Sequence, residues 1–311
     1  MTGKETYSTY VYPRFSAPDC GLIRLGGAGL GNLLFLWARA VALSYTYNLR
    51  LVSPTWRTIK VGPLLRGERD KRWYWDLFHG RSHYIRGFDK LKALTRPRIT
   101  EQDYLDTQSK ESVGQKLVVC QGARALFTPF LANAETVRQE LWAITRDKHK
   151  PHGVEALRKT AVVNIRLGDF LPATMEDVEQ GKDNRRVPMD WYLRLVELLR
   201  SAISDSMPIL VVSDGSESDL AEIMSLPHTR RLDSTSAIEQ LLAIGSAGVL
   251  IASGSTFSMW GSFIGGMPVI WPKGQLRQRL YGDQRDIEIE MGIVGELPAA
   301  FVAAARQRLR G

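Results

Sequence analysis

Residues Ile251-Ala-Ser-Gly-Ser-Thr-Phe-Ser-Met-Trp260 continue the apolar run that begins at Gly248 and lead into a predicted helix from Phe257. A strand, a hydroxyl-rich turn and a helix start together suit a diphosphate. The helix start presents unpaired N–H groups and the positive end of a dipole, so Ser253, Ser255, Thr256 and Ser258 could ring an anion without a metal. Read more plainly, they are caps, because Ser and Thr are favoured at helix starts. A second group is Val163-Asn-Ile-Arg-Leu-Gly-Asp169, with Arg166 and Asp169 just past a predicted buried strand. Ligands of open α/β sheets bind at such strand ends. An arginine there offers a rigid fork for two phosphate oxygens and can neutralise a departing diphosphate. Asp169 could orient that arginine or meet an acceptor hydroxyl, and a purely structural ion pair stays open for both.

The third group is Gly26-Gly-Ala-Gly-Leu-Gly31, between a predicted strand and a predicted helix. As a dinucleotide fingerprint it is incomplete. Gly27 and Gly29 fit the first two glycines, but Asn32 stands where the third belongs. No Asp or Glu lies between Gly21 and Gly67 to hold a ribose, whereas Arg24, Arg39, Arg50, Arg57, Lys60 and Arg66 are basic. Such a positive field favours phosphate or a sugar diphosphate, and Arg50 leaves an NADP-dependent oxidoreductase as a third-ranked reading.

Other chemistry finds less support. The five histidines, His79, His83, His149, His152 and His228, share no ligand spacing with a Cys or an acid, so no metal site is expected. No Gly-x-Ser-x-Gly elbow precedes a suitable histidine, which disfavours a hydrolase. In Arg69-Asp-Lys-Arg-Trp-Tyr-Trp75, Trp73 and Trp75 could stack on sugars or face a core. Stacking on single-stranded nucleic acid ranks last, for want of a recognised fold motif, and no nucleic-acid partner is expected.

Positioning these groups takes alternating strands and helices. Gly21–Leu25, the glycine turn, a helix from Asn32 to Tyr47 and a strand Asn48–Val52 read as a βαβ unit. Residues 53–115 read as loops and short helices, Lys116–Cys120 as a strand and Pro129–Trp142 as a helix. The polar stretch Asp147–Gly153 reads as a linker. The second half repeats the alternation, with strands at Ala161–Ile165, Pro208–Val212, Val249–Ala252 and Pro268–Trp271, the last of them. Helices are predicted at Met189–Ser204, Glu217–Met224, Thr235–Ala243, from Phe257, and at Leu297–Arg310. The expected fold class is α/β with two domains, residues 1–150 and 151–311.

A chain of 311 residues, 44% hydrophobic and 24% charged, can bury full-sized cores and is not disordered. Its net charge of +8 suits a phosphorylated ligand, nucleic acid or an anionic membrane face without choosing among them. The two cysteines, Cys20 and Cys120, match no metal or disulfide framework, and the first residues lack the apolar core of a signal peptide, so a cytoplasmic location is expected. Leu241–Pro272 is uncharged and longer than 20 residues, yet six glycines, six Ser or Thr and two prolines suit a buried strand-turn-helix better than a membrane span.

Five segments occur in the order seen in one family: Gly27-Ala-Gly-Leu-Gly-Asn32, Asn164-Ile-Arg-Leu-Gly-Asp169, Val187-Pro-Met-Asp-Trp-Tyr192, Val212-Ser-Asp214 and Ser253-Gly-Ser-Thr-Phe-Ser-Met-Trp260. With them the chain resembles glycosyltransferase family 11, the α-1,2-fucosyltransferases. More distantly it resembles the group that includes α-1,6- and protein O-fucosyltransferases. The resemblance implies two Rossmann-like domains facing a cleft, the GT-B type, with an acceptor-side first domain and a nucleotide-sugar-binding second domain. It implies inverting, metal-independent transfer of fucose from GDP-fucose to a glycan hydroxyl in α-1,2 linkage, with no cofactor beyond that donor. By the same resemblance Arg166 grips the diphosphate with Asp169 beside it. Ser255, Thr256 and Phe257 cradle the distal phosphate and Asp214 lies near the nucleotide, with Ser213 and Ser253 counted among the donor-binding residues. Asn164 belongs to the donor site, which Gly29, Gly31 and Asn32 close. By their own chemistry, and not by the resemblance, Trp73 and Trp75 are the candidates to face the acceptor. A lipid-linked acceptor, and with it peripheral contact with a membrane, stays open.

Two departures limit this carry-over. The family's middle motif starts with His and carries a second arginine, where this chain has Asn164 and Leu167. Asn cannot act as a base, so proton removal falls to another residue, with Asp169 the first candidate, to a water, or to a late step after diphosphate departure. A glycan- or nucleotide-binding protein without turnover is therefore the alternative.

Overall fold

Strongly apolar strands that are buried on both faces demand helices above and below them, and the chain meets this demand twice. The computed structural model describes residues 9–59, 74–107, 116–122, 125–282 and 285–310. The chain divides into two compact units, Met1–His149 and Lys150–Gly311. Both are α/β, each built on a parallel sheet.

In chain order unit 1 contains β1 (Tyr10–Pro13), β2 (Arg24–Leu25), α1 (Leu30–Thr46), β3 (Arg50–Leu51), β4 (Thr58–Ile59), α2 (Gly87–Leu94), β5 (Arg98–Thr100), α3 (Glu101–Thr107), β6 (Leu117–Cys120) and α4 (Ala134–Ile144). Its main sheet has the order β3-β1-β6-β5, with every pairing parallel. The helix α1 has no acidic residue and is buried on nearly every face from Leu30 to Leu43, with Trp37 inaccessible. An apolar surface all round, in place of a stripe, marks a helix enclosed by protein.

Here the sequence reading needs correction. The first strand of the βαβ unit is β1, and the segment predicted to be that strand, Gly21–Leu25, yields only β2, which pairs with β4 in a separate two-stranded sheet. Tyr10–Pro13 lies in a stretch of scattered charges and prolines that carries no apolar run, although it sits inside the sheet. The strand β5, inside the stretch read as loops and helices, was also missed.

Unit 2 contains α5 (Val154–Arg158), β7 (Ala161–Ile165), α6 (Met175–Glu179), α7 (Met189–Ile203), β8 (Ile209–Ser213), α8 (Ala221–Met224), β9 (Thr229–Arg231), α9 (Ala237–Gly245), β10 (Val249–Ile251), α10 (Thr256–Gly265), β11 (Val269–Pro272), β12 (Glu288–Met291) and α11 (Ala299–Arg310). Its sheet runs β12-β11-β10-β7-β8-β9, again wholly parallel. Counted within the unit this is 3-2-1-4-5-6, the doubly wound order whose direction reverses between the first and fourth strands. Those are β7 and β10, which are direct neighbours. The last strand is β12, not the Pro268–Trp271 segment, and β9 is a further strand that the sequence reading omitted.

The helix α7 buries Trp191, Tyr192, Leu195, Val196 and Leu199 on one face, and Trp191 Nε1 donates to Met291 O at 2.9 Å. The uncharged stretch Leu241–Pro272 folds as the end of α9, β10, α10 and β11. Its glycines let two helices touch, since a Cβ at Gly245 would lie 2.6 Å from Ile264 Cγ2, and one at Gly261 would run into Ile244. Among the described residues no helix is long and apolar enough to cross a membrane.

Candidate functional site

The reversal point of the unit 2 sheet is where an open α/β sheet leaves a crevice at its strand ends. Two of the sequence motifs arrive there, Asn164 to Asp169 from β7 and Ala252 to Ser258 from β10, with Asp214 beside them just past β8. Three neighbouring strands thus deliver the predicted anion-binding residues to one edge.

Their side chains do not all face a ligand. Asn164 is buried, and its amide donates to Ser258 Oγ at 2.8 Å and lies 3.4 Å from the hydroxyls of Ser253 and Ser255. Ser253 N donates to Ser258 Oγ at 2.9 Å, and Ser253 Oγ donates to Ser255 Oγ at 2.9 Å. Ser255 caps α10 by accepting from Ser258 N at 3.3 Å. These hydroxyls are satisfied by one another and by Asn164, so they build the helix mouth from behind. What the mouth presents is backbone: Thr256 and Phe257, both half-buried, occupy the first helical positions, where N–H groups have no acceptor inside the helix.

Arg166 is held by two carboxylates. Its Nη1 lies 2.9 Å from Asp214 Oδ2 and its Nη2 3.1 Å from Asp169 Oδ1. Asp214 Oδ1 also accepts from Leu167 N at 2.8 Å, which ties the loop after β7 to the end of β8. The loop's glycine is explained by this contact, because a Cβ on Gly168 would lie 2.6 Å from Asp214 Oδ2. Of the five N–H donors of a guanidinium, three remain unused by these two pairs. Ser213 accepts from Gly215 N at 3.0 Å through its hydroxyl and from Arg231 Nη2 at 3.1 Å through its carbonyl, so it shapes the turn that presents Asp214.

In unit 1 the glycine turn is built around Arg24, which is fully buried and donates through Nε to Thr55 O at 2.9 Å and through Nη1 to Gly26 O at 2.5 Å. Gly27 has φ +104°, and a Cβ there would run into that guanidinium. Gly29 is the residue before α1 and has open space around it, Gly31 is buried and Asn32 exposed. Arg39 is buried too, paired with Glu101 at 3.1 Å and donating to the carbonyls of Gln121 and Gly122 at 3.1 Å each. Two of the six basic residues expected to make a positive field are therefore spent on the fold. Lys60, Arg66 and Trp73 lie outside the described residues.

Trp75, 53% exposed, lines a cavity of about 420 Å³ together with Trp56, Phe78 and Lys90. Lys90 is a residue that sequence reasoning missed. It is 6% exposed, its Nζ donates to Thr55 Oγ1 at 3.0 Å, and burial brings its ammonium down to about 8. A lone lysine in an ordinary amphipathic helix gives no sign of this, because its partners are 35 and more positions away. Among the described residues no group of three or more His, Cys, Asp or Glu is arranged to hold a metal ion.

No protein-family model matches the chain, and no curated protein matches it. Among solved structures it is similar to NodZ, an α-1,6-fucosyltransferase soaked with GDP-fucose, with 14% identity over 85% of this chain and 94% of that one and a TM-score of 0.49. It is similar to a variant of Arabidopsis thaliana FUT1 in complex with GDP, with 11% identity over 86% of this chain and 71% of that one and a TM-score of 0.47. It is also similar to POFUT1 in complex with GDP, with 10% identity over 85% and 98% and a TM-score of 0.42.

Proposed function

We propose that this chain is an inverting glycosyltransferase that moves fucose from GDP-fucose to a hydroxyl of a glycan, with unit 2 taking the donor and unit 1 the acceptor. The observation that carries the reading is the delivery, to one edge of the unit 2 sheet at its reversal point, of a guanidinium tethered by two carboxylates and of the first residues of α10, where the N–H groups of Thr256 and Phe257 have no acceptor inside the helix. Both are positive, both are rigidly held, and a diphosphate matches them. Fucose, guanosine and the α-1,2 linkage rest on the motif resemblance.

In this reading a phosphate oxygen replaces Asp169 on Arg166, while Asp214 keeps its hold. Asp169 is the carboxylate suited to yield, being 49% exposed against 24% for Asp214. The bond from the sugar carbon to the diphosphate then breaks with its electron pair on the leaving group. Arg166 and the N–H groups of Thr256 and Phe257 take up that charge. The acceptor oxygen attacks from the opposite face, and its proton departs late, with Asp169 the first candidate to take it. A cytoplasmic location goes with this reading, with Cys20 and Cys120 both free.

The experiment is GDP release from GDP-fucose, with and without glycan acceptors, in the parent and in Arg166→Ala. The parent releases GDP, and the variant loses about 100-fold or more while its melting temperature holds. Equal rates in both would end the assignment. A second reading is favoured by Asn164, which fills the family's histidine position as a buried structural amide. That reading is a binding protein without turnover, and GDP binding with no release across a broad acceptor panel would select it.

A further inference from the structure

The cavity of unit 1 has a chemistry that the diphosphate site does not use. Its walls come from the segment after β3, the turn around Phe78 and the start of α2, and among the described residues no Asp or Glu lines it. Three of those residues are cations. Arg57 and Arg86 are exposed, while Lys90 is buried. Aromatic surface accompanies them, with Trp56 packed on Phe78 at a ring separation of 4.1 Å and Trp75 open to solvent.

The donors of Lys90 decide what the cavity lacks. Tyr12 OH donates to Asp19 Oδ2 at 2.5 Å, so the 2.7 Å contact between Tyr12 and Thr55 is filled by the threonine proton, and Thr55 Oγ1 in turn accepts from Lys90. The chain of donors runs one way, from ammonium through two hydroxyls to a carboxylate. An ammonium has three N–H donors, and this arrangement uses one. The other two make no hydrogen bond among the described residues, on a group almost removed from water whose further neighbour is the Tyr12 ring at 5.5 Å, and buried donors without a hydrogen bond are costly.

We infer that this cavity binds a saccharide bearing an acidic group, the anion on Lys90 with Arg57 and Arg86 at the rim and the sugar ring against Trp56 and Trp75. A neutral sugar would leave the ammonium's two donors facing weaker acceptors, and an acidic group lacking a ring would leave the aromatic wall uncovered. The binding assignment stands on the cavity alone. That the bound saccharide is the transfer acceptor rests on the function proposed above.

Calorimetric titration of the full chain, without donor, separates the two. The probes are glucuronate, glucose 6-phosphate, glucose and inorganic phosphate. One or both acidic sugars should bind at least about tenfold tighter than glucose and than phosphate, as expected for a hydrogen bond to a charged partner, and the tighter one identifies the acid as carboxylate or phosphate. Lys90→Met should remove that preference. Trp75→Ala and Arg86→Ala, at exposed positions that leave the fold intact, should each weaken binding severalfold. The inference is overturned if glucose binds equally well, if phosphate alone matches the sugars, or if both exposed-site variants bind as the parent does. Acidic-sugar binding in a chain that never releases GDP would keep the site and discard the transferase.

Discussion

The side-chain amide of Asn164 donates to Ser258 Oγ at 2.8 Å, and this contact fastens the end of β7 to the first turn of α10. The hydroxyls of Ser253 and Ser255 join the same buried cluster, so removing the amide takes away its shared donor and leaves a gap among buried polar groups. Asn164→Ala should lower stability by about 1–3 kcal/mol in urea unfolding. It should also weaken GDP binding, since the helix mouth loses its backing. The pH profile of any transfer should keep its shape, because no titrating group is lost, and a shifted profile would make Asn164 part of a proton path after all.

Asp214 serves two neighbours at once, Leu167 N through one oxygen and Arg166 through the other. The ion pair is partly exposed, so water screens it and Asp214→Ala should cost only about 1 kcal/mol of stability. If Arg166 grips a diphosphate as proposed, the effect on catalysis should be larger, because a guanidinium that wanders no longer meets it in register. We expect kcat/KM for the donor to fall about tenfold or more. Asp214→Asn, which still offers an acceptor to Leu167, should fall less. Equal losses in the two variants would show that the charge on Asp214, and not its tether to the loop, is what matters.

The motifs of unit 2 were legible because each follows a run of buried residues long enough to read as a strand: Ala161–Ile165, Ile209–Ser213 and Val249–Ile251. Strand position then fixes where the next residues emerge. Side-chain direction was not legible. Ser253, Ser255 and Ser258 were expected to surround a ligand, and they bond to one another, because three hydroxyls on one turn find each other before they find water. In unit 1 the strand β1 lies among scattered charges and prolines and ends on Pro13, with no apolar run around it to mark it, and Arg24 and Arg39 gave no warning of burial. Their partners are carbonyls and a glutamate brought in by the fold, and residue type does not encode a carbonyl 31 or 82 positions away.

Gly27 and Gly29 stand two positions apart and should respond differently to the same change. Gly27 adopts φ +104° directly over the Arg24 guanidinium, so Gly27→Ala combines backbone strain with a collision and should destabilise by more than about 1 kcal/mol. Gly29 has φ −67° and open surroundings but stands at the N-cap of α1, so Gly29→Ala should cost about 0.5–1 kcal/mol, the difference between these residues at a helix start, with no collision added. Urea unfolding of both variants measures the gap, and equal losses would mean that the Arg24 contact at Gly27 is not what makes that glycine necessary.

Lys90 makes stability depend on pH in a direction that can be worked out. Burial holds its ammonium at about 8, against the usual 10.5, with Asp19 and Cys20 opposing the shift. Between those two values the unfolded chain carries a proton that the folded chain lacks, so the free energy of unfolding rises with pH across that window. Below about 8 both states are protonated and the folded state bears the whole penalty, roughly 3 kcal/mol at 1.36 kcal/mol per pH unit. Lys90→Met removes the titration. The stability of this variant relative to the parent should therefore be greatest near neutral pH and decline as the pH rises towards 10.5. Urea unfolding of both proteins across that range measures the decline, and a difference that does not change with pH would mean that the ammonium at Thr55 is not desolvated.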